Sequence, residues 1–139
     1  MKDALKTLER VKKFEIDEQR RILMQKLQKE ETLQKSLSNL IEKYEQEKEF
    51  VSQNPTICDF GAYTEQYLKK RRALEEQIAD VQAEIDKIRD EMADMFKEQK
   101  TFEIITQNRK MRKIKELDYQ EQKLLDEVGT NSYIKKHKQ

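Results

Sequence analysis

The chain has one cysteine, one proline, one histidine, two glycines and no tryptophan in 139 residues. Each scarcity excludes something. With Cys58 alone there is no internal disulfide framework, which fits a reducing compartment; in a turn it reads as a bystander thiol. So few breakers leave helices free to run long. The one histidine, His137, sits in a charged tail, and no Gly-rich phosphate loop, Cys/His metal spacing or nucleophile motif occurs. The chain is therefore expected to be no enzyme and to hold no cofactor, metal or small-molecule substrate. No stretch reaches the roughly 20 apolar residues that span a bilayer, and no signal-peptide core follows Met1. The expected address is the cytoplasm.

What is present is charge. Charged residues make up 41% and hydrophobic residues 35%, against about 25% and about 45–50% in an average domain. That much apolar surface lines a narrow seam between helices better than it fills a globular core. The net charge of only +1 gives no reason to expect a nucleic acid or an anionic membrane as partner.

Periodicity separates a coiled coil from disorder. Leu74, Ile78, Val81, Ile85, Ile88, Met92 and Met95 alternate steps of four and three, an a/d heptad seam. Its continuation through Gln99, Phe102, Thr106 and Arg109 is weaker. A second seam follows at Ile114, Leu117, Glu121, Leu124 and Val128, one residue out of phase, with the slip expected near Ile104 and Ile105. An earlier segment is less regular: Leu5, Leu8, Val11, Ile22 or Leu23, Leu27, Leu33, Leu37, Leu40, Tyr44 and Val51 form a helical stripe that leaks around Glu15–Glu18, Glu30 and Glu47.

Between these arms lie residues 52–61, where Pro55 forbids helix continuation and pushes Asn54 out of the α region. Asp3 is a candidate cap for the first helix, and Thr56 or Asp59 for the second. Gly129 is expected to end the second helix. The predicted organisation is one coiled-coil domain over 1–139: helix 3–51, turn 52–61, helix 62–128 and a flexible tail 129–139.

Two arrangements fit: an αα-hairpin, or parallel coiled-coil segments in a dimer. Charge favours the hairpin. Folding about residue 57 sets the basic run Lys69–Arg72 beside Glu42, Glu45, Glu47 and Glu49. It also sets Asp80, Glu84, Asp86, Asp90, Glu91 and Asp94 beside Lys35, Lys29, Lys26, Arg21 and Arg20. The fold class expected is all-α, a long antiparallel two-helix hairpin with the second helix the longer. At 1.5 Å per residue the arms would be roughly 70 Å and 100 Å long, so the seam from Ile114 to Val128 overhangs without an internal partner.

Three features stand out as binding surfaces. Basic residues gather at the open end: Lys6, Arg10, Lys12 and Lys13 on one arm, and Arg109, Lys110, Arg112, Lys113 and Lys115 on the other. Aromatics crowd the closed end: Tyr44, Phe50, Phe60, Tyr63 and Tyr67. The overhang carries both apolar and basic faces.

The first arm opens Leu5-Lys6-Thr7-Leu8-Glu9-Arg10-Val11-Lys12-Lys13, the second Tyr63-Thr64-Glu65-Gln66-Tyr67-Leu68, and the second ends Glu121-Gln122-Lys123-Leu124-Leu125-Asp126-Glu127-Val128 before a short basic tail. Across nearly the whole chain this resembles the flagellar FliJ family of export-apparatus proteins. One departure is the Glu15–Glu18 interruption, where the family's first arm is often richer in alanine. The resemblance implies an antiparallel coiled coil similar to the γ-subunit stalk of rotary ATPases. It implies that the open end enters the hexameric ring of the flagellar export ATPase and promotes ring assembly and hydrolysis, with further contacts to the export gate membrane protein and export chaperones. On that basis Leu8, Arg10, Val11, Lys13, Arg109, Lys110, Arg112, Lys113, Leu117, Leu124 and Val128 are expected at the ring, and Leu40, Tyr44, Phe60, Tyr63 and Tyr67 at a second partner. The alternatives are a structural or adaptor coiled coil without an ATPase partner, and a nucleic-acid-binding helical arm.

Overall fold

In a computed structural model, residues 2–54 and 59–137 are described, with side-chain surroundings over 4–54 and 59–136. They form two helices, α1 (Lys2–Gln53, 52 residues) and α2 (Phe60–His137, 78 residues). The fold is all-α, a helical hairpin with the longer helix second. It divides into two compact units, Lys13–Phe96 and Met1–Lys12 with Lys97–Gln139.

The connection follows local chemistry. At the end of α1, Ser52 Oγ donates to the Glu49 carbonyl at 2.6 Å, and Asn54 donates to the Phe50 carbonyl from both its backbone N (3.1 Å) and Nδ2 (3.2 Å). These bonds satisfy carbonyls that a helix end leaves orphaned. Asp59 is the N-cap of α2: its Oδ1 accepts from the Gly61 and Ala62 backbone N–H groups at 3.1 and 3.4 Å. Pro55, Thr56 and Cys58 lie outside the described residues, so the capping role considered for Thr56 does too.

Both helices exceed the expected bounds. Because α1 begins at Lys2, Asp3 lies inside it rather than ahead of it. Gly129 does not end α2: it lacks the positive φ of a C-terminal glycine cap, and helix continues to His137. An isolated glycine costs a helix only about 1 kcal/mol relative to alanine, too little to stop one followed by Tyr133, Ile134, Lys135 and Lys136.

In the unit Lys13–Phe96 the chain pairs in descending order. Tyr44 lies on Tyr67, Glu30 accepts from Gln82, Lys26 bridges to Glu84 at 2.7 Å, and Arg20 lies over the Phe96 ring at 5.5 Å. The helices there are antiparallel, and each pair falls within about a turn of a reflection about residue 57. Burial tracks the heptads on α2: Ile78, Val81, Ile85, Ile88 and Met92 are buried, with Leu74 and Met95 half-buried at the ends.

The facing stripe on α1 departs from expectation. Ile16, inside the stretch read as a leak, is only 2% exposed. From it the half-buried positions Gln19, Leu23, Lys26, Glu30, Leu33, Leu37, Leu40 and Tyr44 keep steps of three and four. The heptad is regular, but several of its inward residues are polar. Lys26 and Glu30 lay their stems along the seam while their heads reach Glu84 and Gln82.

Charge sets register more sparingly than composition suggests. Of the expected cross-helix ion pairs, Lys26–Glu84 forms, and Lys29 adds to the field that lowers the Glu84 pKa. Elsewhere cations turn to their own helix: Arg20 to Asp17, Arg21 to Glu18, Lys35 to Glu31 and Arg71 to Glu75. On exposed helix faces a partner three or four residues away is nearer than one across the groove.

Candidate functional site

The aromatic end of the Lys13–Phe96 unit is built on Tyr44. Its ring stacks on Tyr67 at 3.8 Å between centroids with planes 6° apart, and lies 5.6 Å from Phe60 and 6.2 Å from Tyr63. Phe60 and Tyr63 pair in turn at 5.8 Å. Tyr67 is buried, while Tyr44, Phe60, Tyr63 and Leu40 are half-buried. The hydroxyl groups are satisfied where they are covered: Tyr44 Oη shares a 3.2 Å hydrogen bond with Thr64 Oγ1, and Arg71 donates to Tyr67 Oη at 3.2 Å. The Arg71 guanidinium also donates to Glu75 at 2.9 Å, and this bond, with the one to Tyr67, raises its pKa further. Four of the five aromatics expected at the closed end thus come together. Phe50 does not: it is 52% exposed on the outer face of α1.

In the other unit the helices meet over a short stretch. Lys12 forms an ion pair with Glu98, and Thr106 Oγ1 donates to Glu9 at 2.7 Å. Leu5, Phe102 and Ile105 are half-buried beside them. Ile105 is half-buried while Thr106, the next position of the first seam, is exposed, and beyond Ile105 no described residue is buried to mark the phase of a second seam. Lys12, read as part of the open basic face, is a seam residue with its stem covered. Leu8 and Val11, read as part of the α1 stripe, are 50% and 47% exposed, because Leu5, Glu9 and Lys12 occupy the inward positions. Both outward residues remain available to a partner.

Beyond Ile105, every described α2 residue to Lys136 is exposed. This stretch carries Arg109, Lys110, Arg112 and Lys113 and the seam residues Ile114, Leu117, Leu124 and Val128. Arg10 is exposed in the same unit, and Lys13 is exposed in the other. Sequence reasoning missed the outward apolar residues Met111 and Leu125, whose signal is their shared position on one flank of the seam. Among the described residues no cluster of His, Cys, Asp and Glu could hold a metal, and no helix is long and apolar enough to cross a membrane.

The chain is thus a charged coiled-coil hairpin with a long exposed apolar seam on its second helix. The flagellar FliJ protein family matches residues 1–138, and the chain belongs to that family, a component of the flagellar export apparatus. No curated protein and no solved structure matches it.

Proposed function

We propose that the chain is a non-enzymatic stalk of the flagellar type III export apparatus, whose open end enters the hexameric ring of the export ATPase. There it promotes ring assembly and ATP hydrolysis, and it couples the ring to the export gate membrane protein and to export chaperones. On this reading it works in the cytoplasm, at the flagellar base on the inner face of the membrane. The observation that carries the proposal is the uncovered stretch of α2: an apolar seam at Ile114, Leu117, Leu124 and Val128 directly follows the basic group Arg109, Lys110, Arg112 and Lys113. Exposed apolar area of this extent marks an interaction surface, and the adjoining cations suit a partner with acidic groups. Leu8, Arg10 and Val11, in the same unit, extend this contact from α1, and Lys13 is a separate exposed cation assigned to the ring.

The second contact is assigned to the aromatic end. Phe60 and Tyr63, half-buried, are its reachable anchors; Tyr44 lies against both and stacks in turn on Tyr67, and Leu40 is the half-buried aliphatic residue assigned to the same contact.

The test is stimulation of the purified export ATPase. Leu124→Asp places a charge in the seam and should abolish binding and stimulation while leaving helicity unchanged. Replacing Arg10, Arg109, Lys110 and Arg112 together by Ala should weaken stimulation at low salt. Full stimulation by both folded variants would remove the open end from the contact.

A further inference from the structure

The uncovered seam has a symmetry that bears on what else can cover it. With Ile114 at a heptad a position, Leu117 falls at d, Glu121 at a, Leu124 at d and Val128 at a. The flanking e positions are then Met111, Asp118 and Leu125, and the g positions Lys113, Gln120 and Glu127. All of these side chains are exposed, and all lie within one compact unit.

Two antiparallel copies of this stretch, centred on Tyr119, fit each other. In an antiparallel pair a meets d, e meets e and g meets g. Ile114 then meets Leu124 of the second copy, and Leu117 meets its Glu121. On one flank Met111 meets Leu125, so the two apolar residues outside the seam are both covered. On the other flank Lys113 meets Glu127, an opposite-charge pair that symmetry makes twice, with Gln120 against Gln120 between them. A parallel pair would instead stack Glu121 on Glu121 inside the seam, a like-charge layer that disfavours it. Three features oppose the antiparallel pair: Leu117 faces the Glu121 carboxylate in two layers, Val128 faces Lys110 at each end, and Asp118 meets Asp118 at the centre of the e flank.

We propose that the α2 seam over residues 111–128 is a self-association surface on which two copies of this chain pair antiparallel, with register set by Lys113–Glu127. The opposed Asp118 pair keeps the dimer weak and reversible, so the seam stays covered in the free protein yet open to exchange with another partner. The inference concerns the isolated chain and does not rest on the ring contact; its failure would leave that proposal standing.

The test is sedimentation equilibrium of the full chain at low salt, with helicity checked by circular dichroism. Wild type should show a reversible monomer–dimer equilibrium. Lys113→Glu and Glu127→Lys should each raise the dissociation constant about tenfold, because each turns two attractive pairs into repulsive ones. The Lys113→Glu/Glu127→Lys double variant should return close to wild type, and Asp118→Asn should tighten the dimer. These substitutions fall on exposed positions of α2, so they should leave the rest of the fold intact. A wild-type chain that stays monomeric, or a double variant no better than the weaker single one, would overturn the proposal.

Discussion

The Tyr44 and Tyr67 rings lie 3.8 Å apart and within 6° of parallel, one from each helix. This contact closes the hairpin core at its aromatic end, where the aliphatic seam of α2 gives way to aromatic residues. Tyr44 touches Phe60 and Tyr63 as well, so one side chain ties three positions of α2 to α1.

Truncating Tyr44 should therefore cost more than its half-buried state suggests. Tyr44→Ala is expected to destabilise the hairpin by about 2–4 kcal/mol. Tyr44→Phe, which loses only the bond to Thr64, should cost about 1 kcal/mol or less. Urea unfolding followed by circular dichroism checks both; equal losses would assign the stability to the hydroxyl rather than to the stack.

Ile16 is the most buried described residue of α1. Ile16→Ala should cost about 2–4 kcal/mol, whereas Val11→Ala, on the exposed side, should stay within about 0.5 kcal/mol. The reverse order in urea unfolding would return the α1 stripe to the Leu8–Val11 face.

Ile16 also shows how far the sequence is legible. The α2 seam from Ile78 to Met92 is apolar at every step, and its burial matches its spacing residue for residue. The α1 seam keeps the same spacing from Ile16 to Tyr44, but Gln19, Lys26 and Glu30 stand at inward positions. A reading based on apolar residues alone slides outward to Leu8 and Val11 and sees a leak at Glu15–Glu18. Stepping back by sevens from Leu37 through Glu30 and Leu23 reaches Ile16 and would have found it. The cross-helix ion pairs were less legible, because each surface cation has near-equivalent partners on its own helix. Gly129 misled because glycine ends a helix only where the backbone turns left-handed, and here it does not.

Acid should loosen the Lys26–Glu84 bridge. The Lys26 ammonium, through its hydrogen bond and then its charge, holds the Glu84 carboxyl below its ordinary value, which is about 4.3. The folded pKa being the lower, the bridge's contribution is fully present above the unfolded value. It fades as pH falls through that value towards the folded one. Glu84→Gln should thus lower stability slightly at pH 7 and not at about pH 3. A difference of the same size at both pH values, by thermal unfolding, would exclude the bridge as its source.

Each apolar side chain left in water on α2 forgoes roughly 1.5–3 kcal/mol of burial, so the uncovered seam should be the least protected part of the helix and the part a partner changes most. Amide hydrogen exchange over residues 114–128 measures this directly, in chain dilute enough to sediment as a monomer, with and without the export ATPase. The account predicts fast exchange in the free chain and strong protection in the complex, centred on Leu117 to Leu124, with Ile78 to Met92 protected in both. Identical exchange of residues 114–128 with and without the ATPase would contradict it.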